Sequence, residues 1–460
     1  MKQIKQHRLI ARFAVENSDN FEVITIFDDE IQREKLDKQN PTLMSISPKY
    51  TTATWFERKI KDDFGIKIEG SYDNRPLVHH ERFPTLNPLR KDFQDRSLKF
   101  DDFTPYKYEV VKGEGVFEVA VGPVHAGIIE PGHFQFSQEG ERILHLDIRH
   151  FYTYRGIEKS LENTSLLEAR EMIERISGNE SIAYQLAWFD IVLQASGVEY
   201  DEKLKKYHCL LLELERVIDH LTDLGFIPND AGFGAALSFA SQLSEDTRVF
   251  LKELCGHRFG FGSVGFEVKE YDKDRILDFL NVLEEKVRWF EDWIVDIPSV
   301  WSRFDTTGTL NKQKAKKYGV LGVVARASGK RVDTRDNLFY KKHGFVLQNE
   351  TVGDVASRFK LRIKEIYNSM RLIKNFIDEP SMVKKPVKFC DGEYMSFVES
   401  SIGELFVYVK LKDGVIDRFY ARDPSFINWQ ALYLMMKKDI IADFPLINKS
   451  CDLSYAGSDL

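Results

Sequence analysis

Cysteine is scarce: Cys209, Cys255, Cys390 and Cys451 are the only four in 460 residues. No two stand at CxxC spacing, which excludes a thiolate metal site of the usual kind. Isolated core thiols in a reducing compartment are the plain reading. Long apolar runs are missing as well. The longest uncharged helical candidate, Ala231 to Ser244, has 14 residues and is too short to cross a bilayer. The start, MKQIKQHRLIARFAV, is interrupted by Arg12 and shows no small-residue cleavage site, so no signal peptide is expected. Basic clusters such as Lys312 to Lys317 are short and the net charge is −7, which argues for a solvated face rather than a nucleic-acid footprint. "CGHRFGFGSVG" (255–265) is glycine-rich but follows no strand, so it does not read as a phosphate loop.

What is present is a change of period. Residues 1–72 mix short strand-like runs with one helix, and Pro, Asn and charge dominate 73–112, which reads as an extended linker. Residues 113–460 form the third segment. Its strand-like pieces are Val119 to Gly127, His133 to Phe136 and the alternating Ile143, Leu144, Leu146, Ile148. Helical spacing then takes over. Leu277, Leu280, Leu283, Val287, Phe290 and Ile294 share one face, with Asp274 as the expected cap and Pro298 as the stop. Val355, Phe359, Ile363, Ile366, Met370, Ile373 and Ile377 mark another face, before Pro380. "LFVYVKLKDGVIDRFYARD" predicts a hairpin about Asp413–Gly414. The class is α+β: a small N-terminal α/β domain, then a helical bundle with β-hairpins at one end.

One stretch breaks its own pattern. Leu167, Met172, Ile173 and Ile176 keep an apolar helix spacing that Ile182, Ala183, Leu186 and Phe189 resume, yet Ser177, Gly178, Asn179 and Glu180 lie between. A mid-helix glycine costs about 1 kcal/mol relative to alanine. A carboxylate at a buried break must be paired or protonated.

"GPVHAGIIEPGHFQF" (122–136), "YRGIEKSLE" (154–162), "LLLELERVIDHLTDLG" (210–225), "YGVLGVVARASGKRVDTR" (318–335), "GDVASRFKLRIKEI" (353–366) and "GELFVYV" (403–409) resemble one family. It joins the large subunit of membrane-bound nickel–iron hydrogenases with the D-type subunit of respiratory complex I. "WFERKIKDDFGIKIEG" (55–70) with "NPLRKDF" (87–93) resembles the end of the C-type subunit of complex I, a fusion typical of formate hydrogenlyase-type large subunits. The resemblance implies a helical fold of the hydrogenase large-subunit kind. It also implies that CGxC and DPCxxC motifs should hold nickel and iron. Here those read Ser177-Gly178-Asn179-Glu180 and Asp423-Pro424-Ser425-Phe426-Ile427-Asn428. The arginine of the family's arginine-glycine-glutamate stretch is Ile402, and a later histidine position is Ala431. Hydroxyl and amide groups do not replace bridging thiolates, so the notch reads as an emptied metal site and hydrogenase activity as improbable.

"DPSFINWQAL" (423–432) looks more like the D-type subunit of complex I. The resemblance then implies a quinone-headgroup cavity beside an iron–sulfur cluster carried by a neighbouring small subunit. The hairpin offers His125, Glu130 and His133, and the family's tyrosine position aligns near Gly178. His133, Glu180 and His125 are the candidate proton-handling groups. Ser177, Gly178, Ser425, Asn428 and Glu158 are the candidate pocket residues. For Glu158 a salt bridge or helix cap is the plainer role, for Glu180 a salt bridge to Arg175 or to a basic residue across the bundle. Arg326 and Asp333 are expected to brace the wall, Glu215 and His220 to pair between helices.

The implied function is a peripheral-arm subunit of a membrane oxidoreductase complex, without its own nickel–iron centre. No cofactor is expected in this chain, with a quinone as candidate ligand. The implied partners are an iron–sulfur small subunit, a ferredoxin-like subunit, and membrane proteins of the antiporter-like and complex I H-type kinds. The expected location is cytoplasmic, held to the inner membrane by those partners. A non-catalytic scaffold is the second reading and an active nickel–iron hydrogenase the third.

Overall fold

The computed structural model describes residues 7–81, 83, 86–93, 104–126, 129–267, 270–379, 385–386, 388–437 and 439–460. The class is α+β, as expected. Two compact units divide the chain: residues 1–160 with 317–319 and 458–460, and residues 161–316 with 320–457.

In the first unit, β1 (Leu9–Glu16), β2 (Asn20–Phe27) and β3 (Ile31–Asp37) form an antiparallel sheet in that order. The short strands β4 (Thr42–Met44) and β5 (Lys67–Glu69) pair in parallel, which needs a crossover. Helix α1 (Ala53–Phe64) supplies it. Gly65 closes α1 at φ 72°, donating its N–H to Lys61 O at 2.8 Å, a left-handed cap that glycine adopts without steric cost. Phe21, Val23, Ile60, Phe64, Ile68 and Leu89 form the core here.

A second antiparallel sheet, β6 (Val116–Val121), β7 (His133–Glu139) and β8 (Arg142–Arg149), belongs to the same unit. The described parts of the expected linker are bound to this sheet. Arg75 Nη1 reaches Asp147 Oδ2 at 2.5 Å, Arg149 Nη1 reaches Glu81 Oε1 at 2.6 Å, and Val111 N–H donates to Ser137 Oγ at 3.1 Å. The expected boundary at 112/113 therefore falls inside the first unit; residues 94–103 of the linker lie outside the described residues.

The second unit is the bundle. Its principal helices are α2 (Ser181–Ser196), α3 (Glu202–Asp230), α4 (Gly234–Cys255), α5 (Lys273–Val295) and α6 (Val355–Phe376). α3 packs against α4 and α6, and α2 against β9 (Gly392–Glu399) and β10 (Glu404–Lys412). β10 continues through Asp413 and Gly414 into β11 (Val415–Arg422). Both turn residues have positive φ, 54° and 78°, as a tight hairpin requires. Two short helices, α7 (Pro424–Asn428) and α8 (Phe444–Cys451), complete the elements used below.

Two local expectations need correction. The cap of α5 is Asp272, whose carboxylate accepts from Asp274 and Arg275 N–H, while Asp274 sits in the first turn. The apolar spacing upstream of the notch is not a long helix. Only Arg170–Ile173 is helical there, and Leu167 and Met172 are exposed while Ile173 and Ile176 are buried. Pro380, expected to end α6, lies outside the described residues, and α6 stops at Phe376.

Candidate functional site

The notch forms as a turn just before α2, with Ser177 and Glu180 buried and Gly178 and Asn179 exposed. No helical glycine penalty arises, because Gly178 lies outside any helix. The amino end of α2 is satisfied from a neighbouring helix. Glu215 of α3 accepts Ile182 N–H at 2.5 Å and Ala183 N–H at 3.0 Å, the role a capping side chain normally plays. Burial dominates over these bonds and pushes the Glu215 carboxyl up to about 8.

The vacated ligand positions are joined by a residue that carries no signal in the sequence. Ser177 Oγ lies 3.2 Å from Ser454 Oγ, and Ser454 N–H donates to Ser425 Oγ at 2.9 Å. Asn179 Nδ2 reaches Asp452 Oδ1 at 3.4 Å. Gly457 lies so close to Asp423 that a Cβ there would meet Asp423 Oδ2 at 2.1 Å. The segment from Asp452 to Gly457 thus fills the space between the two motif remnants. Asn428 turns elsewhere, holding both backbone groups of Leu321, at 2.9 Å to N and 3.3 Å to O. A small cleft of about 20 Å³, lined by Gly178, Asn179, Glu215 and Asp219, lies on the exposed side of the turn, with room for one water; Ser177, Glu180, Ser425 and Asn428 do not line it.

Nickel and iron do not fit this donor set. Two hydroxyls and an amide are committed to Ser454 and Leu321, and none of the four positions offers a thiolate.

Glu180 departs from expectation. Arg175 is bound to Glu174 instead, at 2.6 Å. Glu180 is fully buried, and neither carboxyl oxygen makes a hydrogen bond of good geometry. Burial, then the charge of Asp423, drives its carboxyl well above the ordinary range. Asp423 caps α7 by accepting Ser425 N–H at 2.8 Å and takes the phenol O–H of Tyr184 at 3.2 Å. Tyr184 was not anticipated, although it stands one turn after Glu180 and so on the same helix face.

His125 and His133 belong to the first unit and Glu180 to the second. Both imidazoles are engaged within their own hairpin. His125 Nε2 contacts Gly132 O at 2.7 Å; His133 Nδ1 contacts Gly122 O at 3.2 Å and its Nε2 contacts Gln135 Oε1 at 3.2 Å. Glu158, also in the first unit, is buried and ion-paired with Lys59 at 2.8 Å, the plainer of its two roles. Lys59 bridges Asp63 at 2.5 Å as well; these anions outweigh burial and raise its ammonium above the ordinary range.

The wall beside the notch is a buried ionic network. Arg326 reaches Glu365 at 2.8 Å, Glu399 at 2.5 Å and Asp333 at 3.2 Å. Arg335 joins Asp333 at 2.8 Å to Glu213 at 3.1 Å, and Arg216 meets Glu213 at 3.2 Å. His220 contacts Glu365 at 2.9 Å. Burial would raise Glu365, but Arg326 and His220 hold it well below the carboxylate range. Burial lowers His220 to about 4, so the imidazole is neutral at neutral pH. A roomier cleft of about 450 Å³ occurs elsewhere in this unit, walled by Arg170, Trp188, Phe189, Tyr207 and Phe266, and it includes none of the expected site residues.

Comparison with known proteins agrees with this frame. The family model for the respiratory-chain NADH dehydrogenase 49 Kd subunit matches residues 230–388 and 375–459, and that for the 30 Kd subunit matches residues 2–98. The chain belongs to the 49 Kd subunit family, with a 30 Kd-subunit segment fused ahead of it. Formate hydrogenlyase subunit 5 of Escherichia coli (strain K12) is 28% identical over 446 residues, covering 93% of this chain and 78% of the relative. The C/D subunit of the NADH-quinone oxidoreductase of Phocaeicola vulgatus is 25% identical over 448 residues, covering 90% and 86%. In fold, a chain of the membrane-bound sulfane sulfur reductase, an archaeal respiratory membrane complex, superimposes with TM-score 0.69 at 22% identity over 75% of this chain and 99% of that one. Among the described residues, no helix is long and apolar enough to cross a membrane.

Proposed function

We propose that the protein is a peripheral-arm subunit of a membrane-bound oxidoreductase complex, carrying no nickel–iron centre of its own. The observation that supports this is the closed notch: the family frame is retained from end to end while Ser454 ties Ser177 to Ser425 across the vacated ligand positions. Its redox partners lie in other chains, an iron–sulfur small subunit and a ferredoxin-like subunit. Membrane proteins of the antiporter-like and complex I H-type kinds hold it at the inner membrane on the cytoplasmic side.

Within this reading the scaffold role has the stronger footing at the notch, because Ser177 and Ser425 are committed to Ser454 and Asn428 to Leu321 within the chain. Where an acceptor such as a quinone is bound by the complex, this chain offers the hairpin imidazoles His125 and His133 for its proton chemistry. Gentle solubilisation of native membranes followed by affinity capture of the tagged chain tests the assignment. Recovery with a small iron–sulfur subunit and antiporter-like membrane proteins supports it; recovery of the chain alone contradicts it.

A further inference from the structure

Glu180 and Asp423 are two fully buried carboxyl groups that face one another. Glu180 is the residue at the N-cap of α2, and Tyr184 N–H binds its carbonyl at 2.9 Å. That turn of helix aims the Tyr184 phenol at Asp423 Oδ2, 3.2 Å away. Asp423 Oδ1 is committed to Ser425 N–H. Both Glu180 oxygens remain without a hydrogen bond of good geometry.

The groups that act most strongly on Glu180 from the surrounding elements are Asp423 ahead of α7, the hydroxyl of Ser400 after β9, and Asp219 of α3; none is a cation. Glu215 of the same helix is spent on the N–H groups of Ile182 and Ala183. Beside them Asp219 adjoins Asp452, and its Oδ2 also makes no hydrogen bond of good geometry. The nearby cations serve the neighbouring carboxylates: Arg362 is bound to Asp223 at 2.6 Å and also attracts Asp452 and Asp219, and Arg248 attracts Asp219; neither is among the groups that act most strongly on Glu180. An ionised carboxylate buried without a partner is too costly to persist, so it takes up a proton.

We propose that Glu180 carries a proton in the folded chain and donates it in a hydrogen bond to Asp423, a proton-binding site in place of a metal site. At neutral pH the proton resides on Glu180 and is donated to Asp423, which gives one of the two Glu180 oxygens a hydrogen-bond partner. No bond other than O–H forms or breaks. This proposal rests on the geometry of the notch and not on membership of a complex, so its test and the affinity capture fail independently.

The experiment is infrared spectroscopy of the purified full chain together with denaturant unfolding, each across pH 5 to 9. The wild-type chain should show carboxylic-acid C=O absorption at neutral pH, part of which is lost in Glu180→Gln. Each proton held only by the folded state lowers the folding constant about tenfold per pH unit. The Glu180→Gln slope should therefore be shallower by about one proton. An unchanged band and slope would overturn the proposal. Asp423→Asn removes the neighbouring charge and should shift the loss of the Glu180 band to lower pH. A band that does not move, in a chain that folds, would overturn the proposal even if Glu180→Gln proves too unstable to study.

Discussion

Ser177 is bound to Ser454, hydroxyl to hydroxyl at 3.2 Å, across the gap where the family's motifs place metal. Ser454 also donates its N–H to Ser425, so one residue near the end of the chain closes the notch from both sides. Replacing Ser454 with alanine removes the Ser177 contact and the bond its hydroxyl accepts from Gly457 N–H at 2.9 Å, but not the backbone bond to Ser425. The expected cost is about 1 kcal/mol for each of the two hydroxyl bonds, measured by urea unfolding. Ser454→Pro, which also deletes the N–H, should cost clearly more.

Glu215 supplies a cap from another helix. Glu215→Ala leaves two N–H groups of α2 unpaired in a buried site, at about 1 to 3 kcal/mol each, visible as a lower urea midpoint. The pH dependence has a definite sign. The folded carboxyl sits at about 8 against an ordinary 4.5, so its contribution is fully present below 4.5 and is lost as pH rises through 8. Glu365, Glu213 and Asp333 are held low by their arginines and oppose this only when acid protonates them. Thermal stability should therefore fall from pH 6 to pH 9, and less steeply in Glu215→Gln.

Much of this was legible in the sequence, for physical reasons. The hairpin at Asp413–Gly414 was readable because both turn positions need positive φ. Helices α5 and α6 were readable because one face of each is buried against the bundle. The vacated metal positions were readable because thiolates have no substitute among Ser, Asn and Glu. The closure by Asp452 to Gly457 was not readable, since it joins residues far apart in the chain and small polar residues there carry no periodic signal. The setting of Glu180 was not readable for the same reason: its neighbour Asp423 comes from a distant motif and brings a like charge rather than a cation.

Arg326 is bound to three carboxylates at once. Arg326→Ala takes that cation from Glu365, Glu399 and Asp333 in a dry interior, leaving Asp333 its bond to Arg335 and Glu365 its contact with His220; breaking a buried ion pair costs about 3 to 5 kcal/mol. The variant should unfold at much lower urea or fail to accumulate. Arg326→Lys restores a charge without the planar fork and should recover only part of the loss.

Gly322 tests packing without charge. Its φ is 58°, and a Cβ would fall 1.7 Å from Ile402 O, so Gly322→Ala must push the Ile402–Gly403 turn away. A large fall in melting temperature is expected. Gly140→Ala, also at positive φ (56°) but meeting no atom within 4 Å, should cost much less.

Metal content of the native assembly tests the central claim most directly. The complex captured through this chain should contain iron from its iron–sulfur partners and no stoichiometric nickel, because Ser177, Glu180, Ser425 and Asn428 offer no thiolate and the space between the two motifs is filled. Elemental analysis showing about one nickel per chain, retained after separation of the partner subunits, would contradict the account.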